Sequence, residues 1–155
     1  MKIFTLDREQ TVPFPLGKVF PFFADARNLE RITPPFLRFR VVTPAPIEMK
    51  TGAIIDYRLR VHGLPLLWRS EITVWEPPRR FVDVQRKGPY RMWEHEHSFR
   101  EGRGGTVIRD LVRYAVPGGA LVHRFFVGPD VERIFRYRES VIDRILAEEG
   151  DGNRG

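Results

Sequence analysis

Two histidines and a carboxylate fall on one face of a predicted β-hairpin, and these residue types can transfer protons, bind a polar ligand group or hold a metal. Strict alternation over residues 91–99 places His95 and His97 on the same side of a strand, with two glutamates on the other side. The return strand places Asp110 on its inward side. An acid and two imidazoles are therefore expected to share one interior.

The spacing of His95 and His97 leaves three uses open. Their Cα atoms should lie about 6.5 Å apart on a strand, so the pair could hold one metal ion with Asp83 or Asp110 as a third ligand. The same residues could contact a bound ligand, or they could form structural hydrogen bonds with the aspartates. We favour the last two uses and expect no metal and no other cofactor. If the protein is an enzyme, His95, His97, Asp83 and Asp110 are its candidate acid–base residues.

The strands that position this face are predicted from period-2 patterns between proline and glycine residues. Glycines in the segment 101–105 supply the positive φ angles that a hairpin turn requires. Two short helical segments, Leu16–Ala24 and Asn28–Ile32, follow the first strand. The strands predicted outside the hairpin are Lys2–Val12, Phe36–Val42, Ala53–Val61, Leu66–Trp75 and Arg80–Arg86.

The last predicted element is a long helix, because apolar residues recur at spacings of three and four from Val131 to Leu146. A kink is expected at Gly128-Pro129. The apolar stripe is expected to continue upstream through Leu121, Val122, Phe125 and Phe126.

This order of elements predicts an α+β fold in which a curved antiparallel sheet of about seven strands wraps around the C-terminal helix. Such a sheet encloses an interior that can take a small apolar ligand. The candidate ligand-binding residues, which alternation and helical spacing direct inward, are Tyr57, Trp68, Asp83, Gln85, Trp93, His95, His97, Asp110, Tyr114, Phe135 and Ile142.

The chain resembles the START-like superfamily, also called the helix-grip or polyketide cyclase/dehydrase and lipid transport superfamily, and in particular its small bacterial members. The resemblance covers nearly the whole chain and rests on these residues: the run Pro77–Gln85, the run Gly88-Pro89-Tyr90 through Trp93, His95, His97 and Phe99, and then Gly105-Thr106, Asp110, Tyr114 and Pro117. It implies binding of a lipid, sterol, hormone, polyketide or quinone-like molecule between the sheet and the last helix.

Composition limits the number of domains, the cellular location and the chemistry that this chain can have. The 155 residues predict one domain, residues 1–149, followed by a frayed tail, residues 150–155. We expect a cytoplasmic protein, since the charged N-terminal segment lacks the features of a signal peptide and no long apolar run is present. The absence of cysteine excludes thiolate nucleophiles and disulfides. Only four of the 26 basic residues are lysine, a bias that favours a GC-rich genome and a thermophilic source.

The net charge of +6 raises the question of a nucleic-acid partner. We expect none, because the basic residues alternate with acids on the outer sheet face and no RNA- or DNA-binding motif is present. The arginines assigned to that face are Arg38, Arg40, Arg58, Arg60, Arg109 and Arg113. A transient contact of this basic face with an anionic membrane is the alternative use. The oligomeric state is not predicted.

Three functions remain open from the sequence. The first is a carrier or sensor that binds a small hydrophobic molecule such as a lipid, isoprenoid, quinone or aromatic polyketide. The second is a cyclase- or dehydratase-type enzyme, and the third is a protein interaction module with a filled interior. No nucleophile elbow or phosphate-binding glycine loop is visible, which favours the first.

Overall fold

The strands form a single antiparallel sheet in the computed structural model, which describes residues 1–152. Its strand order is β1-β7-β6-β5-β4-β3-β2, so consecutive strands from β2 to β7 are neighbours and β1 lies beside β7. The strands are β1 (Phe4–Val12), β2 (Arg40–Val41), β3 (Ile54–Val61), β4 (Leu64–Glu76), β5 (Arg80–Lys87), β6 (Met92–Gly102) and β7 (Gly105–Ala115). Gly104 takes a φ of +86° in the turn between β6 and β7, as the predicted hairpin requires.

The helices follow the predicted order. They are α1 (Leu16–Phe23), α2 (Gly119–Val122) and α3 (Gly128–Gly152), with two 3₁₀ helices, Ala26–Arg31 and Pro35–Leu37, after α1. A π-helical turn, His123–Val127, joins α2 to α3 and ends immediately before Gly128-Pro129, where the kink was expected. The predicted α+β architecture, a curved sheet around a long C-terminal helix, is confirmed.

The core lies between the inner face of the sheet and the helices α1 and α3. Inward residues of the sheet, such as Ile55 and Val112, are 0–1% exposed. Ile55 packs in one cluster with Ile142 and Leu146 of α3, and Val112 packs in a second cluster with Val131 and Phe135. Alternation places Trp93, His95, His97 and Phe99 of β6 inward, as predicted, because the outer face of this strand is partly exposed to solvent.

The predicted strand Phe36–Val42 is wrong over most of its length. Two prolines, Pro34 and Pro35, lie just before or at its start, and Pro35 begins a 3₁₀ helix that ends at Leu37 and is followed by Arg38, whose φ is +47°. Only Arg40 and Val41 pair with β3. Proline at the first position of a helical turn fixes φ near its helical value, which explains why β-rich composition did not produce a strand here. Arg38 is therefore not part of the outer sheet face.

The expected upstream extension of the apolar stripe is also wrong. Leu121, Phe125 and Phe126 are 69%, 62% and 58% exposed, while Val122 faces the interior. The segment that carries them lies beyond the part of the helix that the sheet covers. Helical spacing identifies a face, but only the surrounding tertiary structure decides whether that face is buried.

The remaining expectations concern the chain ends and membranes. Helix α3 runs to Gly152, and the rest of the predicted tail, residues 153–155, lies outside the described residues. Over the part of the chain that the structure describes, no helix combines the length and the apolar character needed to span a bilayer.

Candidate functional site

A cavity of about 400 Å³ lies between the sheet and the N-terminal half of α3. This volume is within the range of small-molecule sites. Its walls are mostly apolar and aromatic. They come from the sheet (Tyr57, Trp68 and Trp93), the 3₁₀ helices (Leu29 and Leu37) and α3 (Phe135).

Polar side chains meet at the deep end of this cavity, and we call Asp83, His95, His97, Asp110 and Arg138 the polar cluster. Arg138 lies ten residues beyond the start of α3, about 15 Å along the helix. His95, His97, Asp110 and Arg138 are buried, and the side chain of Asp83 retains 19% exposure. Asp83, His95, His97 and Arg138 contact the cavity, whereas Asp110 lies behind them.

The aspartate–histidine pairs of the cluster run diagonally across the strands. The register places Asp83 opposite His95 and Asp110 opposite His97. The hydrogen bonds instead join His97 Nε2 to Asp83 Oδ2 at 2.6 Å and His95 Nε2 to Asp110 Oδ1 at 2.8 Å. The two imidazole rings stack with their centroids 3.6 Å apart, so they lie together between the two carboxylates.

Helix α3 contributes the one permanent cation of the cluster. Arg138 Nη1 donates to Asp110 Oδ1 at 3.3 Å, and its guanidinium lies over the ring of Phe135, 5.0 Å from the centroid. A buried carboxylate requires such a partner, because an uncompensated charge in the interior is costly. Arg138 therefore joins α3 to β7 by an ion pair across the core.

The electrostatics of the cluster keep the aspartates ionised and His97 neutral at pH 7. Burial alone would raise the pKa of Asp83 and of Asp110. The hydrogen bonds from His97 and His95, together with the positive charge of Arg138, reverse this effect and leave both pKa values below normal. Burial, followed by the charge of His95, lowers the pKa of His97 to about 4, although Asp83 opposes this shift. Neutral His97 donates from Nε2, and its buried Nδ1 has no hydrogen-bond partner among the described residues.

The polar cluster fits a hydrogen-bond network better than a metal site. Ligand atoms of Asp83, His95 and His97 lie within 4.8 Å of one another. However, neutral His97 presents the N–H of its Nε2 to Asp83, so this nitrogen has no lone pair available for an ion at that position. The 2.6 Å contact between His97 and Asp83 also leaves no space between them for a metal. Metal binding would require both rings to rotate.

The structure brings most, but not all, of the predicted ligand-binding residues to the cavity. Four predicted residues are not on its wall. Gln85 bonds to the backbone of Tyr90 through both its amide nitrogen and its amide oxygen, and Ile142 is fully buried in the core. Tyr114 bonds through its hydroxyl to His123 Nε2 at 2.7 Å, and Asp110 lies behind His95. The seven that contact the cavity are Tyr57, Trp68, Asp83, Trp93, His95, His97 and Phe135.

Sequence reasoning missed Arg138 as a site residue. Its position in the apolar stripe of α3, where leucine or valine would be expected, was the signal that could have identified it. It also missed Ser70, a buried residue of the cavity wall that accepts a hydrogen bond from Trp68 Nε1 at 3.0 Å. Serine on an inward strand position gives no specific signal, because small polar residues are common in sheets.

A curved sheet around a long C-terminal helix, with a cavity between them, defines the helix-grip class of proteins. Residues 12–138 match the protein family described as polyketide cyclase / dehydrase and lipid transport, and the chain belongs to this family. The resemblance inferred from the sequence is thereby confirmed. No curated protein matches the chain significantly.

Solved structures share the fold at low sequence identity. Protein Ms6760 from Mycobacterium smegmatis has a TM-score of 0.70 and 21% identity, with coverage of 94% of this chain and 92% of that chain. Ara h 8.0201 has a TM-score of 0.69 and 16% identity, with coverage of 95% and 99%. A nucleoside-diphosphate sugar epimerase from Corynebacterium glutamicum has a TM-score of 0.69 and 25% identity. Its match covers 92% of this chain but 29% of the epimerase chain.

Proposed function

We propose that this protein is a cytoplasmic carrier or sensor that binds a small hydrophobic molecule carrying one polar end. The observation that supports this most directly is the cavity of about 400 Å³, whose walls are mostly apolar and which Asp83, His95, His97 and Arg138 of the polar cluster contact. Suitable ligands include a lipid, an isoprenoid, a quinone or an aromatic polyketide. Their apolar bodies would replace water along the aromatic walls, which is the main source of binding free energy.

Asp83 is the group best placed to recognise the polar end. It is the most accessible acidic member of the polar cluster, and its lowered pKa keeps it an acceptor at pH 7. One of its oxygens already accepts from His97. The carboxylate can therefore accept a second hydrogen bond from a ligand hydroxyl, which favours alcohols, phenols and hydroquinones over purely hydrocarbon ligands.

Native mass spectrometry of untagged protein, followed by denaturing extraction, tests this proposal. We expect a stoichiometric apolar compound with a hydroxyl group. The variant Leu59→Trp should lose most of this compound, because Leu59 lines the cavity and a larger ring at this position costs about 1–3 kcal/mol of overpacking when the ligand is present. Leu67→Trp, on the exposed outer face of β4, is the matched control and should keep the ligand. A bare protein mass, or equal occupancy in both variants, would contradict the proposal.

A cyclase- or dehydratase-type enzyme is the second candidate, and the Asp83–His97 pair on the cavity wall is the observation that favours it. An ionised carboxylate beside a neutral imidazole offers both a base and a proton donor to a bound substrate. The interaction module receives less support, because that alternative expects side chains to fill the interior.

The double variant His95→Asn, His97→Asn separates the carrier from the enzyme. For the compound released on extraction, we expect weaker binding by the double variant and no turnover by the parent protein. Mass analysis of the compound after incubation with each protein provides the measurement. Conversion by the parent protein that is lost in the double variant would establish an enzyme and overturn the carrier assignment.

A further inference from the structure

The segment that leads into α3 carries a cluster of exposed apolar side chains. Leu121, Phe125 and Phe126 are 69%, 62% and 58% exposed within six consecutive residues. Single exposed apolar residues are common, but a contiguous group of this size usually marks an interaction surface. Val122 and Val127 of the same segment line the cavity, so the exposed group lies directly outside one wall of the site.

Two further exposed apolar residues belong to elements that line the same end of the cavity. Phe36 is 50% exposed and precedes Leu37, a cavity residue. Leu64 is 67% exposed and pairs with Val61, which also lines the cavity. Both elements contact the start of α3: Arg133 lies over the Phe36 ring, and His62, in the turn before Leu64, bonds to Asp130 at 2.8 Å. We call these five residues the apolar rim: Phe36, Leu64, Leu121, Phe125 and Phe126.

The cations beside the apolar rim are paired with aromatic rings. Arg124 lies 5.5 Å from the Phe125 centroid, Arg133 lies 4.6 Å from the Phe36 centroid, and Lys2 lies 5.2 Å from the Phe4 centroid. Phe4 in turn stacks on His123 of the π-helical turn. Among the described residues, none of these three cations forms a salt bridge with a carboxylate.

The nearby acids do not neutralise this charge. Asp130 is bonded to His62, and Glu132 forms a salt bridge with Arg8 at 3.2 Å. The outer sheet face differs, because several of its arginines pair with acids. Examples are Arg109 with Asp7, Arg113 with Glu94 and Arg69 with Asp56. Three cations without a carboxylate partner therefore lie beside the exposed apolar side chains of the rim, whereas Arg58 and Arg60, the sheet-face arginines that form no salt bridge among the described residues, have no such apolar group beside them on β3.

We propose that the apolar rim docks on an anionic lipid bilayer. Its phenylalanine and leucine side chains would enter the boundary between headgroups and acyl chains, while Lys2, Arg124 and Arg133 would bind lipid phosphates and carboxylates. A second copy of this chain would bring like charges together, whereas an anionic bilayer complements them. Docking in this orientation turns the end of the cavity lined by Val61, Val122 and Val127 toward the lipid.

This inference goes beyond ligand binding, and it holds equally if the cavity serves catalysis. Flotation of the full chain with vesicles of phosphatidylcholine mixed with phosphatidylserine tests it. We expect the parent protein to bind mixed vesicles at least about tenfold more tightly than vesicles of phosphatidylcholine alone, since each basic residue near an anionic surface contributes about a factor of five.

Two double variants test the apolar side chains of the rim and the arginines beside it separately. Leu121→Ser with Phe125→Ser should reduce binding to mixed vesicles by at least about tenfold, through loss of apolar insertion. Arg124→Gln with Arg133→Gln should remove most of the preference for phosphatidylserine. Ile54→Ser is the control and should bind as the parent protein does. Ile54 is 42% exposed and begins β3, whereas Val61, which pairs with Leu64, ends that strand. Circular dichroism establishes that each variant is folded.

Some outcomes would overturn the proposal. Equal binding of the parent protein, the rim variants and the control to mixed vesicles would exclude the apolar rim as the docking surface. Absence of vesicle binding, together with a parent dimer that the Leu121→Ser, Phe125→Ser variant abolishes, would assign the rim to contact between copies. The vesicle measurement is independent of the extracted ligand, so either proposal can fail without the other.

Discussion

Replacing Arg138 by methionine is expected to lower the free energy of unfolding by about 3–5 kcal/mol, because it leaves Asp110 charged and buried without its cationic partner. Asp110 is 8% exposed and accepts hydrogen bonds from His95 Nε2 and Arg138 Nη1 on the same oxygen. Urea denaturation followed by circular dichroism measures the change.

A matched control lies on the same helix. Arg136 is exposed, so Arg136→Met should change the free energy of unfolding by about 0.5 kcal/mol or less. Adding Asp110→Asn to Arg138→Met should recover part of the loss, because the double variant no longer buries an unpaired charge. Equal effects of Arg138→Met and Arg136→Met would show that α3 is not joined to the sheet by this ion pair.

Period-2 alternation was sufficient to predict the four strand residues of the polar cluster. It placed His95, His97, Asp83 and Asp110 on one inner face, and the structure confirms this placement. The pairing could not be predicted, since directly opposite residues would have been the natural partners. Ring stacking between His95 and His97 instead makes each imidazole reach diagonally, and this preference depends on side-chain rotamers that a pattern does not contain.

The fold could be predicted from the sequence, whereas the exposure of the segment that leads into α3 could not. Element order and the long apolar stripe of α3 determine the helix-grip architecture, because few packings bury that stripe. The segment 119–127 has the same helical spacing, yet Leu121, Phe125 and Phe126 face solvent. Its exposure results from where the sheet ends, which is a tertiary property. The three side chains that this prediction placed in the core belong to the apolar rim.

The cavity and the apolar rim indicate that the middle of α3 is held more rigidly than its N-terminal end. Its middle turns carry Arg138 of the polar cluster, and the ion pair of Arg138 with Asp110 fixes these turns to the sheet. Its N-terminal end follows a π-helical turn and contacts the β3–β4 hairpin through the exposed His62. Movement is therefore expected at the rim end, where few buried contacts hold the segment, while the deep end stays rigid.

The stability of the protein is expected to fall as the pH decreases from about 6.5 to about 4, and His97 is the cause. Its folded-state pKa of about 4 lies below the ordinary histidine value of 6.5, so in this interval the unfolded chain binds a proton that the folded chain does not. Stability that is present above pH 6.5 is lost as the pH approaches 4. The two pKa values correspond to a loss of about 3 kcal/mol.

The variant His97→Asn should remove most of this slope, because asparagine has no group that titrates in the interval. The slope of unfolding free energy against pH is the readout, since the variant also loses a hydrogen bond to Asp83 and will be less stable at every pH. His62→Asn is the control: His62 is exposed, and asparagine tolerates its φ of +49°. Below pH 4 both variants should still lose stability, because the hydrogen bond from His95 and the charge of Arg138 keep the pKa of Asp110 lowered, and the stability that this gives is lost when Asp110 is protonated. A parent protein with constant stability between pH 6.5 and 4 would mean that His97 binds its proton in the fold as readily as in the unfolded chain, and that burial does not lower its pKa.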